Sequence, residues 1–333
     1  MNKDELIKTV ARLMAVPKGI LAIDESIETC NGRFEKLGIP TTLEKRQEWR
    51  ELLVTAPDIE KYVSGFITFD ETIRQSTADG KTFVSVLQSK GIDVGIKVDK
   101  GLKDLSLHSG DKITEGLDGL QDRMKEYKNM GATFAKWRAV FAVGDNLPSD
   151  ACIKANANAH ARYALICQEY DIVPIVEPEI LITGSHSVEQ CYEVSARVLK
   201  ILFAELKALD VFMPGIILKT SMIISGQDAL NRAPKEKVAD MTLKCFKENV
   251  PNDVGGIAFL SGGQTNEEST ENLNEMHKMG SLPWALTFSY GRGIQSSALK
   301  YWASNQNDVA GAQALLVASA RDNSLASIGE YKK

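Results

Sequence analysis

KGILAIDESIETCNGRF, residues 18–34, is the stretch on which the fold turns. It opens with a short apolar run, GILAIDE (19–25), of the length and composition of a strand buried in a parallel sheet. A doubly wound open sheet would follow such a strand with a GxGxxG turn. Here the strand runs instead into SIETCNGRF, which holds no such turn.

Further runs of the same kind recur along the chain. They are YVSGFITFD (62–70), VGIKVD (94–99), TFAKWRA (133–139), IVPIVEPEI (172–180), GIILKTSM (215–222), GGIAFLSGG (255–263) and PWALTFSYG (283–291). Between them lie stretches of helical period. TTLEKRQEWRELL (41–53) opens on a Thr41/Glu44 capping box, and TNEESTENLNEMHKMG (265–280) on a Thr265/Glu268 box. LDGLQDRMKEYKNMG (117–131) ends on a glycine suited to a C-cap, while 149–170 and 188–209 are the longest helical stretches. Eight strands alternating with helices pair in parallel through right-handed crossovers, and eight such units close into a barrel. The expectation is an α/β fold, a single (β/α)8 TIM barrel domain over 1–333, with an N-terminal helix and a C-terminal helical extension.

Bulk composition fits a large globular core: 333 residues, 44% hydrophobic and 25% charged. The net charge of −5 disfavours nucleic acid or an anionic membrane as partner, because both need a basic surface. It leaves room for an anionic small substrate held by a local cationic cluster. The cysteines, Cys30, Cys152, Cys167, Cys191 and Cys245, are odd in number, widely spaced and without a CxxC, as in a cytoplasmic protein with reduced thiols. His108, His160, His186 and His277 are scattered and no HExxH or Cys/His cluster occurs, which argues against a zinc site and leaves carboxylate-bound magnesium open. MNKDELIKTVARLM (1–14) reads as a short amphipathic helix without a signal-peptide core, and no apolar run is long enough to span a membrane.

In a barrel of this kind the active site lies at the C-terminal ends of the strands. The candidate strands carry polar residues there: Asp24, Asp70, Lys97 with Asp99, Lys136 with Arg138, Glu177 with Glu179, Lys219, Ser261, and Ser289 with Arg292 beyond it. Each of the three pairs shares a face, because strand side chains alternate with period two. Any one pair could be a buried ion pair and nothing more. So many charges at one end are costly to desolvate unless paired or functional. Lys219 ends an apolar strand, where burial disfavours its charged form, and a neutral amine adds to ketones to form a Schiff base. Taken alone, a lysine there more often marks the solvent end of a strand, because exposed lysines are common and perturbed ones rare. Lys136 and Arg138, as like charges, would help keep it neutral, and Glu177 could shuttle protons. LSGGQ (260–264) and SYGRG (289–293) are glycine-rich turns after the seventh and eighth strands, the usual phosphate site of such barrels. The physical reading is covalent chemistry on a phosphorylated ketose.

The motifs KGILAIDES, GIKVDKG, GLDGL, FAKWR, ARYA, IVPIVEPEIL, IAFLSGGQ, PWALTFSYGR and NSLA, in this order, resemble class I fructose-1,6-bisphosphate aldolase from near the start to about residue 331. The resemblance implies a cytoplasmic, metal-independent lyase, commonly a homotetramer. It cleaves fructose 1,6-bisphosphate to dihydroxyacetone phosphate and glyceraldehyde 3-phosphate in glycolysis, reversibly, with no cofactor. By the same resemblance Lys219 is the Schiff-base lysine and Glu177 its acid/base partner, with Glu179 beside it. Asp24 and Lys136 handle the hydroxyls around the C3–C4 bond, with Arg138 and Lys97 in the surrounding charged network. Ser261, Gly262, Gly291 and Arg292 hold the phosphate on the ketone side. Ser26, Arg33, Arg46 and Lys97 fall where the family handles the other end.

Three departures from the family pattern stand out. Lys219-Thr220-Ser221-Met222 replaces Lys-Pro-Asn-Met, Thr29 replaces a serine, and the chain stops at GEYKK instead of continuing into a tail ending in tyrosine. Proton exchange at C3 then falls to Tyr331 or to water, and the preference between the bisphosphate and fructose 1-phosphate is left open. Two rival readings are a transaldolase-like enzyme or isomerase on the same barrel, and a scaffold protein without catalysis. Two phosphate-binding ends argue against the first, and the intact Asp24, Lys136, Glu177 and Lys219 set against the second.

Overall fold

The computed structural model describes all residues, 1–333. Eight parallel strands close on themselves. They are β1 (Gly19–Ala22), β2 (Val63–Thr68), β3 (Asp93–Lys97), β6 (Phe134–Phe141), β7 (Val173–Ile180), β8 (Ile217–Thr220), β9 (Gly256–Phe259) and β10 (Leu286–Tyr290). The labels β4 (Leu102–Asp104) and β5 (Lys112–Thr114) belong to a separate antiparallel hairpin in the loop after β3. Closure is made by β10 pairing with β1, where Ile20 stands opposite Ser289 and Leu21 opposite Tyr290. An open sheet would leave both of these edges unpaired.

The barrel interior and its outer shell are distinct cores. The inner one joins Ile20, Ile67, Phe134, Val173, Ile175, Ile217 and Ala258 to Leu6, Val10, Leu13 and Met14. The last four come from or directly follow the N-terminal helix Lys3–Leu13, so this helix plugs the end of the barrel away from the polar strand ends. The Phe134 ring fills the axis. A Cβ built on Gly95 would meet it at 2.3 Å, so that position admits only glycine. A much larger cluster lies between the strands and the surrounding helices.

The helical stretches fall where the periodicity put them: Leu43–Thr55, Leu120–Asn129, Asp150–Glu169, Val188–Ala208 and Asn266–Lys278. The Thr265/Glu268 capping box is present with both of its hydrogen bonds. The expected Thr41/Glu44 box is not. Thr42 is the N-cap, its hydroxyl accepting from Lys45 N at 3.2 Å, so the helix begins one residue later. Asp70, two residues beyond the end of β2, opens a short helix, Asp70–Ile73, and still stands at the mouth of the barrel formed by the strand ends. The C-terminal extension is the helix Val309–Ala326. It is tied to the helix Asn266–Lys278 by Thr270 Oγ1 donating to Asn323 Oδ1 at 3.0 Å.

Candidate active site

A cavity of about 1090 Å³ opens at the C-terminal ends of the barrel strands. Asp24, Lys97, Lys136, Arg138, Glu177, Glu179, Lys219, Ser26, Arg33, Ser261, Gly262, Gly291 and Arg292 all line it. Period-two alternation explains why. Arg138 stands opposite Glu177 and Lys136 opposite Ile175 in the β6–β7 register, and Lys219 follows Leu218 of β8, which pairs with Val176. Residues far apart in the chain thus present their side chains at one level.

At the cavity floor four side chains form a continuous charged chain. Lys219 Nζ lies 2.9 Å from Glu177 Oε1. Glu177 Oε2 lies 3.1 Å from Lys136 Nζ, an ion pair without hydrogen-bond alignment, since Oε2 has no hydrogen-bond partner. Lys136 Nζ lies 2.5 Å from Asp24 Oδ2. All four are buried. Two further pairs flank them: Lys97 Nζ to Asp99 Oδ1 at 2.6 Å, and Arg138 Nε to Glu179 Oε2 at 2.5 Å. Lys97, Lys136, Arg138 and Lys219 are therefore matched by Asp99, Asp24, Glu179 and Glu177. Unmatched charges at this depth would carry the full desolvation penalty.

This pairing changes one expectation. Lys136 and Arg138 do not act on Lys219 simply as like charges, because the Glu177 carboxylate stands between Lys219 and Lys136 and is paired with both. The protonation directions follow from the same geometry. Burial alone would raise the Asp24 carboxyl, but Lys136 and Lys219 outweigh it and hold Asp24 at about 2. Burial likewise opposes ionisation of Glu177, and Lys136, Lys219 and Arg138 reverse that and lower it. Burial would lower Lys136, yet Asp24, Glu177 and Asp99 raise it well above the ordinary lysine range. Lys136 is thus a fixed cation and Asp24 a fixed anion near neutral pH, while Glu177 rests as the carboxylate, ready to accept a proton.

The two glycine-rich turns differ in conformation. Gly262 and Gly263 both have positive φ, 54° and 85°, a conformation open to glycine, whose missing side chain lets the backbone come close to a ligand. Gly291 is the N-cap of the helix Arg292–Ser304, and no side chain caps that end. Ser289 Oγ, buried and without a protein partner, lines the same cavity.

At the other end, Ser26 caps the helix Ile27–Glu35, its hydroxyl accepting from Thr29 N at 3.3 Å. Arg33 lies on that helix and bonds Glu25 and Gln295. Arg46 is not where the resemblance implied. Its guanidinium is held by both oxygens of Glu71, at 2.8 and 2.7 Å, and by Asn31 at 3.1 Å, and it does not line the cavity. A buried arginine with a bidentate carboxylate has little reason to leave it. Tyr331 also lies elsewhere. Its backbone N–H donates to Asn274 Oδ1 at 2.9 Å, against the helix Asn266–Lys278, and it does not line the cavity.

Sequence reasoning passed over Glu25, which accepts from Arg33 through Oε1 and from Arg50 through Oε2. The signal was present in Arg50, a cation on the apolar face of the helix Leu43–Thr55, which has to find a buried anion. Among His, Cys, Asp and Glu side chains, no group of three or more is placed to hold a metal ion.

The model of the family described as "Glycolytic: Fructose-bisphosphate aldolase class-I" matches residues 5–333. The chain is 49% identical over 333 residues, the full length of both, to a probable fructose-bisphosphate aldolase class 1 of Xanthomonas campestris pv. campestris. It is 46% identical over 329 residues to the cytosolic fructose-bisphosphate aldolase 4 of Arabidopsis thaliana, covering 98% of this chain and 84% of that one. Its fold superposes with a TM-score of 0.97 on the Plasmodium falciparum fructose-bisphosphate aldolase, crystallised in complex with TRAP and a small-molecule inhibitor. The two are 42% identical, over 99% of this chain and 96% of that one.

Proposed function

The chain belongs to the class I fructose-bisphosphate aldolase family, and from that premise we propose that it cleaves fructose 1,6-bisphosphate reversibly through an imine on Lys219. The observation that carries the residue assignment is the buried run Lys219–Glu177–Lys136–Asp24 on the floor of the cavity.

The roles follow from the pairing. The Lys219 ammonium hands a proton to Glu177 across their 2.9 Å contact, and the free amine adds to the C2 ketone. Glu177 returns protons so that the carbinolamine loses water and the protonated imine forms. That imine accepts the electron pair of the C3–C4 bond as it breaks, giving an enamine. Glu177 takes the C4 hydroxyl proton, and glyceraldehyde 3-phosphate leaves. Lys136, a fixed cation, stabilises oxyanion character at the hydroxyls, and Asp24 orients them. Protonation at C3 followed by hydrolysis of the imine releases dihydroxyacetone phosphate and frees Lys219. With Tyr331 held on Asn274, water in the open cavity supplies the C3 proton. Glu179 holds Arg138, and Asp99 holds Lys97, against the substrate.

Ser261, Gly262, Gly291 and Arg292 take the phosphate next to the ketone, through the Gly262–Gly263 turn and the uncapped helix end at Gly291. Ser26, Arg33 and Lys97 take the other phosphate, and Arg46, bonded to Asn31, supports the helix Ile27–Glu35 that carries Arg33. Fixing both phosphates holds the reacting bond over the charged floor. No cofactor enters these steps. Family membership extends the reading to one catalytic domain over 1–333, to a homotetramer and to the cytoplasm. The five free buried cysteines suit a reducing compartment.

Borohydride trapping tests the central assignment. With dihydroxyacetone phosphate present, reduction should leave a stable adduct on Lys219 that a chelator does not affect and that Lys219→Ala abolishes. An adduct on Lys97 or Lys136 would show that the nucleophile has been misassigned.

A further inference from the structure

Gln295 lies on the helix Arg292–Ser304, one turn beyond Arg292, and is fully buried. A buried glutamine needs partners for both ends of its amide. Its Nε2 donates to the backbone oxygen of Ala22, the last residue of β1, and its Oε1 accepts from Arg33 Nη1 at 3.0 Å. The carbonyl of Ala22 can only accept, so it fixes which end of the amide faces Arg33. Gly291 belongs to the same junction: a Cβ there would stand 3.4 Å from Ala22 O and 4.0 Å from Gln295 Nε2. One side chain thus joins the first strand to an arginine of the helix Ile27–Glu35, beside the turn of the last strand.

Arg33 is bonded asymmetrically. Glu25 and Gln295 both accept from Nη1, while Nε and Nη2 have no acceptor in the protein. Those two donors form the edge of a guanidinium that binds a phosphate bidentately. Two acceptors are needed to hold this orientation. Glu25 alone is shared with Arg50 and would let the guanidinium pivot.

We propose that Gln295 is a positioning residue for recognition of the second phosphate: it anchors Arg33 Nη1 so that the Nε/Nη2 edge faces the cavity. It thereby sets the preference for a sugar bisphosphate over a monophosphate. The inference rests on the reading of Arg33 given above. It also says why this position is an amide, since neither a carboxylate nor an alkyl group can both donate to Ala22 O and accept from Arg33.

The test compares kcat/KM for fructose 1,6-bisphosphate with that for fructose 1-phosphate in Gln295→Met, Gln295→Glu and Arg33→Ala. Weakening one hydrogen bond to a charged group should lower the bisphosphate-to-monophosphate ratio about tenfold in Gln295→Met, mainly through KM for the bisphosphate. Gln295→Glu keeps an acceptor facing Arg33, and its ratio should stay within about threefold of the parent. Arg33→Ala should lower the ratio at least as far as Gln295→Met, and adding Gln295→Met to it should lower the ratio no further. An unchanged ratio in Gln295→Met, or equal losses on both substrates in Gln295→Met and Gln295→Glu, overturns the positioning role. If Arg33→Ala lowers the ratio and Gln295→Met does not, only this inference fails. If Arg33→Ala leaves the ratio unchanged, the reading of Arg33 fails and this inference with it.

Discussion

Replacing Glu177 by glutamine removes one negative charge and changes almost nothing else in shape. The parent site balances Lys97, Lys136, Arg138 and Lys219 against Asp24, Asp99, Glu177 and Glu179. After the substitution Lys136 keeps Asp24, but Lys219 has lost its only carboxylate partner, and both lysines stay buried. Across 2.9 Å the lost attraction is roughly 6 kcal/mol at an effective dielectric of about 20. Relaxation and water entry reduce this, and breaking one partner out of a buried pair costs about 3–5 kcal/mol. A chain of this length unfolds with an entropy of about 0.7 kcal/mol/K, so the melting temperature should fall by roughly 4–7 °C. Loss of a positioned acid/base should lower kcat by about 10²–10⁴. A coupled assay that reduces the triose product with NADH reads the rate, and differential scanning fluorimetry reads the melt. Borohydride trapping in the same variant should slow without disappearing, since Lys219 is still present. A melting temperature at or above the parent's would show that Glu177 does not compensate a buried charge. A kcat within about fivefold of the parent's would remove Glu177 from the proton path.

Gly262→Ala should place a side chain at a φ of +54° with its Cβ 2.8 Å from Leu260 Cδ1. The strain is about 1–2 kcal/mol, and KM for the bisphosphate should rise several-fold, with weaker inhibition by inorganic phosphate; unchanged phosphate inhibition would remove this turn from the phosphate site. His160 is buried, its Nε2 has no partner, and burial holds it at about 4. The unfolded chain therefore binds the extra proton between about 6.5 and 4. Its contribution to stability is full above that window and is lost as pH falls through it, by roughly 3 kcal/mol. Denaturant titrations across those pH values should show this slope, and His160→Gln should flatten it. Asp24 acts lower on the scale: its contribution is present above its unfolded value near 4 and disappears as pH falls towards 2. Tyr331→Phe should leave kcat within about twofold, because this residue does not line the cavity; a larger loss in steady-state cleavage would place its hydroxyl in the proton path.

Much of the molecule was legible in the chain itself. The buried strands carry nearly continuous apolar runs because both of their faces are covered, so each stands out without an alignment. Period-two alternation put Lys136 with Arg138 and Glu177 with Glu179 on shared faces, and the strand-end rule put them at one mouth. Local chemistry was less secure wherever two neighbouring residues could serve. Thr41 and Thr42 can both cap a helix, and only the path of the chain selects Thr42. Asp70 could end a strand or begin a helix.

What sequence alone could not decide was which charge meets which. Arg46 and Arg33 both carry a guanidinium near the same end of the cavity. Tertiary packing sets Glu71 across from the first, closing it off, and leaves one edge of the second open. Lys219 was identified from the apolar strand that leads to it, but its partner came from another strand, through the register of β7 against β8. Gln295 carried no signal in the chain, because its partners, Ala22 and Arg33, lie more than two hundred and fifty residues away. Periodicity is a property of neighbours along the chain and can be read there. Ion pairing and amide orientation depend on distances of a few ångströms between residues remote in sequence, and closure of the barrel alone sets those distances.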